Sequence, residues 1–527
     1  MKRWFIPVVA LFLMLACTLP SGKAHPQGAA PQRQAPGVQP ALPTAAPPAT
    51  SSPISTAPPV PTATQPANPT AIWPHSPLGV AFGPVAEDGD PNAQIAGFLT
   101  YIHGLGIPRT KVSFYWASLE PRPGVYDFST LDTYLDQLAP DDQALVNLFT
   151  NGWCTEGEEY ESRKGAPLRQ CPKGENECTK TCDDHYREFV TAVAERVRER
   201  AHGGVRYFQR DTEPASQHHF PATEPEAFVH IQHIFYQAVK AVLPDVAVIG
   251  VNHNGNFLNH DTGAPTSTDF FKYVLQYGKD DFDLLDVRLY GEPYAIPHRV
   301  DWFRQQMQVY GYQKPIVSTE YGGIDPRTLH NGETYPFFEI LKQRHIPANP
   351  DPKLRPFLRR ASAEEQAHYE RLHCHDIIQR SLLALGSEVQ ALWLWNLQSP
   401  GKDLIFGQMR LRTPDMQELP GYACFRRFAG HMGNATAVTR MDTGDSSVYL
   451  YRIQREGQPD LYIAWHHIAG LDIYDDAAAP AVSVTLPLDG NAFTVTDAFG
   501  EPHPAAPSPQ GLRLELSNTP LYLETAP

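Results

Sequence analysis

Beyond its N-terminus the sequence has no apolar run long enough to cross a membrane, and the one early run, Ile6 to Ala16, is too short for a full span. Basic residues are in deficit: 43 Lys and Arg stand against 58 Asp and Glu, a formal net charge of −15. A nucleic-acid partner would want a basic stripe, and this balance argues against one. No glycine-rich phosphate loop precedes a helical pattern, and no Gly-x-Ser-x-Gly elbow occurs, which argues against nucleotide-dependent and serine-hydrolase chemistry. The histidine pairs His230 and His233, and His373 and His375, have no identifiable third ligand, so no metal site is expected. No motif asks for a cofactor, and no internal repeat is visible.

What is present begins with an export signal. Lys2 and Arg3 make a positive start before the short apolar run. The stretch Leu13-Met14-Leu15-Ala16-Cys17 resembles the lipobox of bacterial lipoproteins, with Met14 where that box prefers Leu. The resemblance implies a signal segment over 1–17 in front of a lipidated Cys17. It also implies an exported protein held at the bacterial membrane or cell surface through that anchor alone. Residues 18–75 are dominated by Pro, Ala, Thr, Ser and Gln, cannot bury enough apolar surface to fold, and read as a tether. In an exported chain, Cys154, Cys171, Cys178 and Cys182 are disulfide candidates: they crowd a polar loop with no core of its own, and four cysteines allow three pairings. Without paired Cys-x-x-Cys spacings a four-cysteine zinc site is disfavoured. Cys374 and Cys424 could pair or remain buried thiols.

From Leu78 the pattern changes to short apolar runs alternating with helical periodicity. Strands are predicted at 78–82, 110–115, 144–149, 205–208, 246–251, 284–289, 315–318 and 389–395. Helices are predicted near 93–105, 131–138, 186–200, 225–243 and 363–385. Eight such units suit a (β/α)₈ TIM barrel over 76–427, an α/β fold whose chemistry sits where strands end. After residue 428 short strand-like runs separated by turns predict a small all-β sandwich domain over 428–527.

Two glutamates fall at predicted strand ends. Arg210-Asp211-Thr212-Glu213-Pro214 follows the fourth strand, and Ser318-Thr319-Glu320-Tyr321-Gly322-Gly323 closes the seventh. Two carboxyl groups on neighbouring strand ends are the usual equipment for cleaving a glycosidic bond. Trp116-Ala117-Ser118-Leu119-Glu120-Pro121, followed by Gly124-Val125-Tyr126-Asp127-Phe128, resembles the second-strand signature of clan A glycoside hydrolases, the retaining (β/α)₈ enzymes that include families 5, 39 and 42. Val495-Thr496-Asp497 and Thr519-Pro520-Leu521-Tyr522-Leu523 are similar to the β-domain that closes several of them. The resemblance implies Glu213 as acid/base and Glu320 as nucleophile. It departs at Thr212, where the clan places an Asn on the substrate 2-hydroxyl, and at the strand-two Arg, for which Lys111 is the nearest match and Arg109 the alternative. Arg288 and Tyr290 stand where strand six often offers His and Tyr; Arg288 could meet an acidic sugar or make a structural ion pair.

Trp395 is a candidate sugar platform, with Trp116 and Trp153 behind it, and Asn252, His253 and Asn254 could meet sugar hydroxyls or cap a loop. Glu120 reads as structural, and Glu292-Pro293 as a decoy of the Glu-Pro dipeptide. These readings converge on a monomeric retaining glycoside hydrolase with a poly- or oligosaccharide substrate and no cofactor. The rivals are a carbohydrate-binding barrel without catalysis and a transglycosylase that remodels an exported polysaccharide.

Overall fold

The structure, a computed structural model, describes residues 76–82, 90–150, 154, 181–210, 214, 223–253, 268–332, 334–398, 404–413, 415–488 and 493–525. The expected signal segment with Cys17, the 18–75 tether, and Trp153, Cys171, Cys178, Thr212, Glu213 and Asn254 lie outside them.

Eight parallel strands close into a barrel in sequence order. They are β1 (Leu78–Ala81), β2 (Arg109–Tyr115), β3 (Ala144–Phe149), β4 (Val205–Arg210), β5 (Ala247–His253), β6 (Leu284–Val287), β7 (Ile316–Tyr321) and β8 (Val389–Leu394). Between and after them run α1 (Pro91–Gly104), α2 (Trp116–Leu119), α3 (Ser129–Leu135), α4 (Cys182–Arg200), α5 (Pro225–Val242), α6 (Thr268–Tyr277), α7 (Ile296–Val309), α8 (Pro336–Gln343), α9 (Ala363–Gly386) and α10 (Pro420–Met432). The strands read as apolar runs because helices cover one face and opposing strands fill the other. Every residue of β3 is accordingly buried.

Inside the barrel, Leu145, Ile249, Val317, Ala391 and Trp393 form a core of their own, edged by Tyr207 and Leu284. Closing that barrel requires a glycine in β1. A Cβ on Gly79 would lie 2.7 Å from the Cβ of Arg109 and 2.9 Å from the Trp393 ring. The two long helices start where the sequence supplies capping boxes, Thr181 with Asp184 for α4 and Ser362 with Glu365 for α9. All eight expected strands are present, and α2, α6, α7, α8 and α10 are additions to the five expected helices.

The expected boundary after residue 427 falls inside α10, and the all-β part opens at Ala435. It contains β9 (Ala435–Arg440), β10 (Val448–Arg455), β11 (Gln458–His466), β12 (Val482–Leu486), β13 (Phe493–Asp497), β14 (Ala505–Ser508), β15 (Gly511–Leu516) and β16 (Leu521–Thr525), with one short helix, α11 (Ile473–Ala478). A five-stranded sheet ordered β13-β16-β11-β10-β9 packs against a three-stranded sheet ordered β12-β15-β14. Leu450, Leu486, Leu514 and Leu523 lie in the core shared by the two sheets. Tyr451, Ile463, Trp465 and Tyr522, on alternate positions of the larger sheet, join the barrel's outer core instead.

Two disulfides are described. Cys154–Cys182 pins the start of α4 to the chain leaving β3, and Cys374–Cys424 joins α9 to α10. The first uses two of the four crowded cysteines, and the second settles the open reading of Cys374 and Cys424 as a bond.

Candidate active site

The inner face of β6 and its continuation reads Leu284, Asp286, Arg288, Tyr290, because side chains alternate along an extended chain. Leu284 edges the apolar layer, and the next three positions rise from it toward the carboxyl ends of the strands. β7 pairs with β6 through Asp286 opposite Val317, which brings Glu320 level with the upper part of that row. The peptide N–H of Leu289 donates to the Glu320 carbonyl at 3.1 Å, so the backbone itself fixes this height.

Glu320 is buried, and its two carboxylate oxygens have separate partners. Oε1 accepts from Lys111 Nζ at 2.8 Å. Oε2 accepts from the Arg288 guanidinium and from the Tyr290 hydroxyl, the latter at 3.1 Å. Burial alone would raise the Glu320 carboxyl, but the Arg288 and Lys111 charges outweigh it and hold the group below the usual glutamate range. Lys111 is pulled down by burial, against which the Glu320 charge works. The geometry therefore presents an ionised carboxylate, held at both oxygens, at a strand end of a TIM barrel.

A polar layer supports it. Asp286 accepts from the Thr319 N–H at 2.7 Å, the Thr319 hydroxyl at 2.8 Å and Gln209 Nε2 at 3.0 Å. Arg288 Nε lies 3.7 Å from the same carboxylate. Burial raises Asp286, opposed by the charges of Arg288 and Lys111. Behind β6, Arg299 donates to the Arg288 carbonyl at 2.8 Å, and Arg380 donates to the carbonyls of Leu289 at 3.0 Å and Gly291 at 2.9 Å. Two buried guanidinium groups thus pin the backbone that carries Arg288 and Tyr290.

The structure brings Lys111, Arg288 and Tyr290 onto Glu320 and places Arg109, His253 and Trp116 elsewhere. Arg109 is not beside Glu320: its guanidinium donates to the Ser76 carbonyl and the Tyr207 hydroxyl, at 2.8 and 2.6 Å. Arg288 is engaged in ion pairs with Glu320 and Asp286, the structural alternative to meeting an acidic sugar. Asn252, a candidate for sugar hydroxyls, is fully buried instead; its amide donates to the Arg210 carbonyl and accepts from Gln209 Nε2 at 2.7 Å. It braces the end of β4, the point from which the chain runs to Thr212 and Glu213. His253 is packed between Phe271 and Phe303, and burial pushes its imidazole well below the ordinary range.

Trp116 is a correction as well. It is fully buried, stacks on Phe189 with ring centroids 5.2 Å apart, and donates its indole N–H to Glu120 at 2.6 Å. It is a core residue because α2 turns it under α4 rather than into the barrel mouth. Glu120 is structural, as read, since it also accepts from the Gly124 N–H at 2.7 Å. Glu292 accepts from the Tyr294 N–H at 3.3 Å and caps a short turn. Trp395 is half-buried two positions beyond Trp393, and its backbone N–H donates to the carbonyl of Tyr321, the residue after Glu320, at 2.8 Å.

Sequence reasoning passed over Asp286, Gln209 and Thr319, which form the supporting layer. The signal was present in the period-two row of β6, where a polar triad follows an apolar residue. His230 and His233 pair with Asp183 and Asp281, each at 2.7 Å. Among the described residues His330, Asp472 and Asp475 come together, but the Lys353 ammonium lies among them, 2.8 and 2.7 Å from the two carboxylates.

No protein-family model and no curated protein matches the sequence. Solved structures do match the fold. A family 39 glycoside hydrolase from Bacteroides cellulosilyticus WH2 is 15% identical with a TM-score of 0.58, over 85% of this chain and 81% of that one. A monomeric β-xylosidase from Caulobacter crescentus CB15 is 14% identical with a TM-score of 0.54, over 86% of this chain and 96% of that one. The catalytic domain of GH30 xylanase C from Talaromyces cellulolyticus is 10% identical with a TM-score of 0.50, over 87% of this chain and 98% of that one. At these identities the likeness is one of fold: a TIM barrel followed by a β-domain.

Proposed function

We propose that this chain is a retaining glycoside hydrolase that cleaves O-glycosidic bonds of a poly- or oligosaccharide by double displacement. The observation that carries the reading is Glu320: a buried carboxylate at the end of β7, kept ionised by Lys111 and Arg288 and oriented by Tyr290. A structural ion pair needs no such strand-end placement; a nucleophile aimed at an anomeric carbon does. The fold shared with a β-xylosidase and a xylanase supports the same reading and makes xylosides the first substrates to try.

Glu213 is the proposed acid/base, carried by the chain that leaves the β4 end braced by Asn252. In the first step a Glu320 carboxylate oxygen bonds to the anomeric carbon while protonated Glu213 gives its proton to the departing oxygen. In the second, Glu213 takes a proton from water, the water oxygen bonds to that carbon, and the ester bond to Glu320 breaks. This order needs one carboxyl group ionised and the other protonated at the start. The two cations on Glu320 supply the ionised one. Trp395 is the proposed sugar platform.

The protein is further proposed to be monomeric, exported, and held at the membrane or cell surface by lipidated Cys17. Sugar release from a panel of polysaccharides and aryl glycosides, with Glu320→Ala alongside, tests the function. Release by the unaltered protein alone is expected. Metabolic labelling with a fatty acid, abolished by Cys17→Ser, tests the anchor.

A further inference from the structure

Among the described residues, four acidic and basic side chains meet in the barrel interior: Lys111, Asp286, Arg288 and Glu320, all buried. Two are cations and two are anions. Lys111 and Arg288 take opposite oxygens of Glu320, and Arg288 also faces Asp286 at 3.7 Å. Asp286 is not free to move toward solvent, because Thr319 and Gln209 hold both of its oxygens. One buried cation would suffice to keep one carboxylate ionised. The second cation, with a second carboxylate built in behind it, needs its own explanation.

We propose that Arg288, with Asp286 as its standing counter-ion, is a positioning residue that makes the Glu320 carboxylate the better leaving group, so that the covalent glycosyl-enzyme breaks down faster than it forms. The inference rests on Glu320 being the nucleophile. When the Glu320 oxygen bonds to the anomeric carbon, the bond from that carbon to the leaving oxygen breaks and the leaving oxygen takes a proton from the acid. Glu320 becomes a neutral ester, and the group passes from charge balance to an excess of one positive charge. When water attacks, its proton goes to the base, the bond between carbon and Glu320 oxygen breaks, and the electron pair returns to the carboxylate. Charge balance is restored. A cation held at that carboxylate therefore opposes the first step and favours the second. Asp286 limits the imbalance in the ester state and keeps Arg288 in place while Glu320 is neutral.

Among the described residues, the charged and titratable groups facing Glu320 are Lys111 from β2 and Asp286, Arg288 and Tyr290 from β6 and its continuation; Gln209 of β4 and Asn252 of β5, which complete the layer, carry no charge. Two measurements test the proposal on the full chain. The first uses no substrate: carboxyl-¹³C glutamate is incorporated, and the Glu320 signal is assigned by its loss in Glu320→Gln. Arg288→Gln should move its titration midpoint up by at least about one pH unit, the scale of losing a neighbouring opposite charge, and Arg288→Lys should recover most of that. The second follows dinitrophenol release from 2,4-dinitrophenyl β-D-xyloside, β-D-glucoside and β-D-mannoside in a stopped-flow instrument. The unaltered protein should show no burst. Arg288→Gln should show a burst approaching one equivalent, with the sugar found on the Glu320 peptide by mass spectrometry.

An unmoved midpoint overturns the charge pairing whatever the kinetics. A moved midpoint with release but no burst and no adduct overturns the leaving-group role. A moved midpoint with no release by the unaltered protein from these glycosides or from the polysaccharide panel defeats the glycosidase reading, and the leaving-group role with it. Should Arg288→Gln fail to fold, Arg288→Gln/Asp286→Asn keeps the charges balanced and carries both measurements.

Discussion

Replacing Lys111 by methionine removes one cation from a buried group and leaves Arg288 facing both Glu320 and Asp286. Methionine fills much of the lysine stem's volume, so the change is chiefly one of charge. Breaking a buried pair by deleting one partner typically costs about 3–5 kcal/mol, because the charge left behind is neither hydrated nor paired. Asp286→Asn should cost a comparable amount, about 3–5 kcal/mol, for the opposite reason: it leaves two cations on Glu320 alone. The two single variants unbalance the group in opposite directions, and the double variant balances it again. Lys111 Nζ and Asp286 Oδ2 also share the Thr319 hydroxyl, at 3.3 and 2.8 Å.

Lys111→Met/Asp286→Asn should therefore lose less stability than the two single losses added together, by about 1–3 kcal/mol. The assay is urea denaturation of the four proteins at pH 7, followed by tryptophan fluorescence and circular dichroism. Additivity within about 0.5 kcal/mol would refute the account of these residues as one charge-balanced unit.

Other outcomes follow from the same geometry. The folded-state value of Glu320 lies below its ordinary one, so its contribution to stability is present above the ordinary glutamate range and is lost as pH falls through the lower folded value. Lys111→Met should accordingly shift both the acid loss of stability and the acid limb of kcat/KM to higher pH, as read by melting temperature and rate across a pH series. Trp116→Ala should cost roughly 3–5 kcal/mol in thermal or chemical denaturation, because it empties a core position between α2 and α4. Trp395→Ala should leave stability near that of the unaltered protein and raise KM roughly 3–10-fold, the scale of one lost ring stacking. Cys374→Ser should lose roughly 4 kcal/mol, as expected for opening a link that spans 50 residues, and reductant should lower the melting temperature of the unaltered protein in the same direction.

The barrel was legible because each of its strands is covered on both faces and so writes itself as an apolar run that needs no knowledge of its neighbours. Lys111 and Tyr290 could be read from their places on strands two and six. Arg288 could not be resolved the same way. Its residue type allows an acidic ligand or an ion pair; the pairing of β6 with β7 sets Glu320 beside it, and Asp286 lies two residues back on the same face of β6. Trp116 misled for the converse reason: an indole near a strand end suits a sugar, but the four-residue helix that begins with it turns the ring inward onto Phe189. Cys374 and Cys424 became a pair only because α9 packs on α10, a long-range contact that spacing does not encode. Apolar periodicity changes near residue 427, whereas α10 continues through that point to the first strand of the β-domain.

The central claim is that Glu320 is a nucleophile. Its most direct test is sugar release from a broad set of polysaccharides and activated aryl glycosides by the unaltered protein and by Glu320→Ala, with both shown to be folded. The account predicts release from at least one substrate by the unaltered protein and none by the variant. Equal release by the two proteins would contradict it.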